Sequence, residues 1–75
     1  MVATMKIRYS RHALERLKQR SITKKEIEEA LVNGQQRTLQ EHGTIECIHT
    51  RQGKKLVIVY YQDKEKYKIV TAYYL

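Results

Sequence analysis

The chain has no proline, no tryptophan and no phenylalanine, one cysteine and three glycines in 75 residues. With Cys47 alone, no internal disulfide can form. No low-complexity run is present, and 41% of residues are hydrophobic, the composition of an ordinary soluble fold. The longest apolar-rich run, Leu56 to Tyr61, is far too short to span a bilayer, and no signal peptide is expected ahead of so charged a start. A cytoplasmic protein without membrane association is therefore expected. Residues 1–75 make one domain, and a chain this short buries only ~60% of its unfolded surface, so its core is small.

Chemical motifs are missing too. There is no Gly-rich phosphate loop, no G-x-S-x-G elbow and no cluster of carboxylates for two-metal chemistry. Cys47 and His49 share a strand face at i,i+2, with His42 or His12 as further ligands. No C-x-x-C or H-x-x-x-H spacing supports zinc there. No metal or cofactor is expected, and any catalysis should be metal-independent.

What the chain has in excess is positive charge, a net +7 unevenly spread. Residues 1–25 carry +7, residues 26–50 carry −4 and residues 51–75 carry +4. If the fold joins the two basic thirds, their common surface favours polyanions, RNA or DNA first and an acidic protein second. A merely soluble basic surface has the same composition.

The patterning predicts the order β-α-α-β-β-β-β. Met5 to Arg8 is a short strand, and Ser10 can cap a helix from Arg11 to about Arg20 with the apolar stripe Ala13, Leu14 and Leu17. After the tight Arg20-Ser21-Ile22 link, Thr23-Lys24-Lys25-Glu26 is a capping box. The second helix buries Ile27, Ala30 and Leu31, pairs Lys24/Glu28 and Lys25/Glu29 on its wet side, and stops at Gly34. The period then becomes two. Strands are expected at Gln36–Gln40, Thr44–Thr50, Lys55–Tyr61 and Tyr67–Tyr74, with turns at Glu41-His42-Gly43, Gln52-Gly53 and Gln62–Lys66. In the last strand Tyr67, Ile69, Thr71 and Tyr73 alternate with Lys68, Val70, Ala72 and Tyr74. The class is α+β: two N-terminal helices on one face of an antiparallel sheet, the other face left open.

The first helix carries the candidate chemistry. His12, Arg16 and Arg20 fall in one row at i, i+4 and i+8, where like charges repel. The positive end of the helix dipole and Arg16 both disfavour an imidazolium, so His12 is expected to be neutral and able to act as a general base. Arginine forks grip phosphates, and equally carboxylates such as Glu15, Glu41 or Glu46. His12 can also simply pack and bond a carbonyl. Arg51, Lys54 and Lys55 cluster at one hairpin and can track a nucleic-acid backbone, as can Arg8 and Arg11 in the basic N-terminal third; a solvated turn is the plainer use of the hairpin. All six aromatics are tyrosines, most of which should pack, while one or two on the open face can stack on bases.

The helix S-x-H-A-x-x-R-x-x-x-R-x-I-T, the following K-x-E-I-E-E-A-L and the ending KLVIVYY…YKIVTAYYL resemble domain-of-unknown-function family 4258. That family is similar to RelE-like toxins and the barnase–colicin–RelE ribonuclease superfamily. The resemblance implies a RelE-like or barnase-like domain, metal-independent endoribonuclease action on RNA, and an acidic antitoxin protein as a possible partner. It implies site roles for His12, Arg16 and Arg20, and for Thr71 and Tyr73. Tyr73 is the tyrosine expected to stack on a base or donate a proton. A non-catalytic nucleic-acid-binding module and a protein-interaction domain are the alternatives.

Overall fold

The computed structural model describes residues 6–39, 43–64 and 66–75. Its elements are β1 (Lys6–Tyr9), α1 (Arg11–Gln19), α2 (Lys24–Asn33), β2 (Gln35–Leu39), β3 (Thr44–Arg51), β4 (Lys54–Asp63) and β5 (Lys66–Tyr74). The expected order holds, with most strand bounds shifted by one or two residues. Met5, Gln40, Glu41 and His42, which the sequence placed in a strand, a turn and a metal option, lie outside the described residues.

Local chemistry sets the helix ends. Ser10 Oγ accepts from the Ala13 amide at 3.0 Å, and Thr23 Oγ1 from the Glu26 amide at 3.1 Å. At the end of α1, Ile22 N–H reaches Leu17 O and Ser21 N–H reaches Lys18 O, with Ser21 left-handed at φ 55°. That is a Schellman stop, and its buried Ile22 packs with Leu17 in the core. Leu14, expected in the stripe, is instead 43% exposed, because only Ala13 and Leu17 point squarely at the sheet.

Gly34 ends α2 for a different reason from the one expected. Its backbone is extended (φ −80°, ψ 171°), so no left-handed turn requires glycine there. A Cβ would instead sit 2.5 Å from Ala30 O, 2.7 Å from Cys47 Sγ and 2.9 Å from Ile48 O. Glycine lets the chain pass between α2 and β3.

The sheet order is β1-β5-β4-β3-β2. β2 to β5 form the expected antiparallel meander, but β1 pairs parallel with β5, so the sheet is mixed and not purely antiparallel. The two edge strands β1 and β2 run in opposite senses and three antiparallel pairings separate β2 from β5, which returns β5 parallel to β1. A second correction concerns β5. Val59 pairs with Thr71 but Tyr60 with Ile69, leaving Val70 as a bulge that reverses the alternation. Tyr67, Ile69, Ala72 and Tyr74 therefore share one face, and Lys68, Thr71 and Tyr73 the other.

Both helices cover the first of those faces. Ala13, Leu17, Ile22, Ile27, Ala30 and Leu31 meet Cys47, Leu56, Ile58, Tyr60, Ile69 and Ala72 in one core cluster. The Tyr60 and Tyr67 rings stack there, 5.4 Å between centroids at 11°. The opposite face has no covering layer among the described residues. Across it run Gln35–Ile48–Val57–Tyr73, then Arg37–Glu46–Val59–Thr71. Among the described residues no helix is long and apolar enough to cross a membrane.

Candidate functional site

The row on α1 forms as its spacing dictates. Arg16 Nε donates to His12 Nε2 at 3.3 Å, and Arg16 Nη1 donates to Gln19 Oε1 at 3.2 Å. His12 is exposed, and neither Arg16 nor Arg20 forms an ion pair among the described residues. Glu15 and Glu46 thus do not neutralise the row; Glu41 lies outside the described residues. Arg16 does sit in the last turn of α1, where the helix dipole offsets part of the repulsion.

Arg20 leaves the row to cap the sheet. Its Nη1 donates to Ala72 O at 2.8 Å, on the stretch of β5 beyond the end of β1. β1 is registered with β5 only through Tyr9 and Ile69, and Ser10 N–H reaches Ile69 O at 3.2 Å. The guanidinium takes the place of the missing strand there. Its carbon also lies 6.0 Å from the centre of the Tyr73 ring, at the outer reach of a cation–π contact. Arg20 and Tyr73 are therefore brought together, at the boundary between helix layer and open face.

A cleft of about 470 Å³ opens beside Arg20, lined also by Ser21, Glu26, Arg51, Gln52, Lys54 and Tyr74. Its walls are the left-handed turn at Ser21 and the β3–β4 hairpin, whose Gln52 and Gly53 are both at positive φ (53° and 78°). Three predicted cations, Arg20, Arg51 and Lys54, meet here. Arg51 Nη1 is held by Glu29 Oε2 at 2.9 Å, so Glu29 pairs with Arg51 of β3 and, among the described residues, not with Lys25. Lys24 likewise turns to Tyr9, its Nζ 5.3 Å from the ring centre.

Sequence reasoning missed Glu26 and Tyr74. Tyr74 OH donates to Glu26 Oε2, and that bond, ahead of burial, holds the phenol above its ordinary value. Glu26 was legible only as the second half of a capping box. Tyr74 reaches it because the Val70 bulge turned Tyr74 to the helix side.

The other predicted residues separate. Arg51 and Lys54 face the helix side, whereas Lys55, paired with Thr50, projects on the open face. Arg8 lies on the open face beside Lys68, at the opposite end of the sheet, and Arg11 is exposed at the start of α1. Thr71 is half-buried on the open face, opposite Val59. Cys47 is buried and donates to Ala30 O at 3.1 Å; burial raises its thiol. Among the described residues no three His, Cys, Asp or Glu side chains converge on a metal-sized site.

Residues 9–74 match the family model described as Domain of unknown function (DUF4258). No curated protein and no solved structure matches the chain.

Proposed function

This chain belongs to the DUF4258 family, and we propose that it is a small RNA-interacting domain acting as a metal-independent endoribonuclease of the toxin type. The observation that carries the reading is the exposed His12–Arg16 pair: an imidazole whose Nε2 accepts from a guanidinium that no described carboxylate neutralises. The resemblance to DUF4258 carries an expected kinship with RelE-like toxins, and that expectation agrees with the same class.

In this mechanism Arg16 transfers its hydrogen bond from His12 Nε2 to a phosphate oxygen. The freed Nε2 removes the proton of the 2′-hydroxyl as that oxygen attacks the adjacent phosphorus. The bond to the 5′ oxygen breaks, leaving a 2′,3′-cyclic phosphate, and the departing oxygen takes a proton from the Tyr73 phenol or from solvent. Arg16 and Arg20 meet the charge developing on the phosphoryl oxygens, while Arg51 and Lys54 hold the flanking strand. An acidic antitoxin-type protein would silence such a domain by covering the same cations.

The test is cleavage of labelled RNA in EDTA, with and without ribosomes. Wild type should give 2′,3′-cyclic ends, and His12→Ala should lower the rate about 100-fold or more while salt-sensitive binding remains. RNA left intact by the wild type under both conditions overturns the enzyme reading. A second reading, binding without cleavage, is favoured by the Arg16 donor that occupies Nε2; it requires retention of RNA by both wild type and His12→Ala.

A further inference from the structure

The strongest unexplained charge in the molecule lies away from α1. In the parallel β1–β5 pair, Lys6 is registered with Lys66 and Arg8 with Lys68. Neighbouring strands are ~4.8 Å apart, so each pair sets two cations side by side, an arrangement that weakens a sheet. Alternation puts all four on the open face, because Ile7 and Tyr67 between them pack against the core. Lys68 is registered in turn with Tyr61, which is 45% exposed.

Two shallow hollows mark the surface at this end. One, about 350 Å³, is lined by Lys6, Asp63, Lys64 and Lys66. The other, about 360 Å³, is lined by Arg8, Tyr61, Asp63, Lys66, Tyr67 and Lys68. They share Asp63 and Lys66, so they form one depression with five cations, one described carboxylate and an exposed aromatic ring. Among the described residues the one ion pair is elsewhere, between Arg51 and Glu29.

We infer that the open face at the β4–β5 hairpin end is a stacking platform for single-stranded RNA, with a base on Tyr61 and the flanking phosphates on Arg8 and Lys68. It rests on the RNA reading above and extends it to a face the α1 row does not occupy. Self-repelling cations around a flat π surface suit a polyanion that carries rings. A tyrosine ring can stack only on an unpaired base, which selects single strands over duplex. An acidic peptide would satisfy the cations and leave Tyr61 without a purpose. The platform also joins the candidate site. Tyr61 and Val57 are four residues apart on β4, ~13 Å at ~3.3 Å per residue, and Val57 is registered with Tyr73 beside Arg20. A short run of nucleotides can therefore touch both along one face.

The experiment is fluorescence anisotropy with a labelled uridine 12-mer made uncleavable by 2′-O-methylation, over a salt series, on folded variants checked by circular dichroism. Arg8→Gln/Lys68→Gln should flatten the slope of log affinity against log salt by ~1.4, at ~0.7 per lost phosphate contact. Tyr61→Ala should weaken binding by about tenfold, and Tyr61→Phe should restore it. Arg16→Gln reports on the α1 row independently. If Arg16→Gln weakens binding while the open-face variants bind as wild type, the platform is wrong and the RNA reading stands. If the wild type does not bind the 12-mer, the platform falls, and the cleavage assay with ribosomes decides the RNA reading separately. Polyglutamate that competes as well as the 12-mer, with Tyr61→Ala indifferent, makes this a peptide surface and overturns the inference. Crosslinking of a 4-thiouridine oligonucleotide to unmodified protein gives a second answer: adducts at Tyr61 support the platform, and adducts confined to α1 overturn it.

Discussion

Tyr60 and Tyr61 are consecutive residues of one type on one strand, yet Tyr60 is fully buried and Tyr61 is 45% exposed. The first points into the helix layer with Leu56 and Ile58; the second shares the opposite face with Val57 and Val59. Burial on the two faces has different causes. On the helix side, side chains from α1 and α2 close over the strand. On the other, Val57 is buried without a helix to cover it, with Ile48 and Tyr73 registered on either side of it, and Val59 is only half-buried between Glu46 and Thr71. The molecule thus spends its helices on one face and leaves the other semi-apolar and rimmed by Arg8, Arg37, Lys55 and Lys68.

The largest effect that can break this contrast comes from neighbouring truncations. Ile58→Ala, on the covered face, should cost about 4 kcal/mol in urea unfolding, and Val59→Ala, beside it on the open face, about 1 kcal/mol. Equal losses would mean that the open face is packed by something beyond the described residues. Gly34→Ala comes next, at about 3 kcal/mol, because two of its three collisions are with backbone that cannot step aside. That loss should appear without any change in RNA affinity, since Gly34 lies on the covered side.

These contrasts also show how far the sequence could be read. Capping at Ser10 and Thr23 and the buried Ile27, Ala30 and Leu31 were legible because each depends on residues within one turn. The α+β order followed from the change of period after Gly34. The parallel β1–β5 pairing was not legible, because four residues of strand carry no mark of their partner. Nor was the Val70 bulge, since the adjacent apolar Ile69 and Val70 suit a regular strand buried on both faces equally well, and only the register with β4 shows the slip. That single residue moved Tyr74 to Glu26 and, in turn, put Tyr73 on the open face beside Arg20. Of the candidate site, the α1 row was readable from spacing alone. Its junction with Arg51 and Lys54 across a cleft was not, since it depends on where a turn and a hairpin meet.

The smallest predicted effect sharpens the Tyr60–Tyr61 contrast most. The hydroxyls of Tyr60 and Tyr9 are buried without a hydrogen-bond partner among the described residues, and burial pushes both phenols up to about 12 from the ordinary 10.0. Below pH 10 neither the folded nor the unfolded chain has lost these protons, so their contribution to stability is complete. Between pH 10 and pH 12 the unfolded chain releases protons that the folded chain retains, so stability falls as pH rises and levels off above the folded value. Tyr60→Phe removes one of these two groups and keeps the ring stacked on Tyr67. At pH 7 it should raise stability by about 1 kcal/mol, by deleting a buried polar atom that no described residue satisfies, and it should shallow the alkaline decline. Tyr61→Phe, on the open face, should change the pH 7 value by less than about 0.5 kcal/mol. Urea titrations of the three proteins at pH 7, 10, 11 and 12 measure both quantities, and a Tyr60→Phe variant less stable than wild type at pH 7 would show that the hydroxyl has a partner inside the core.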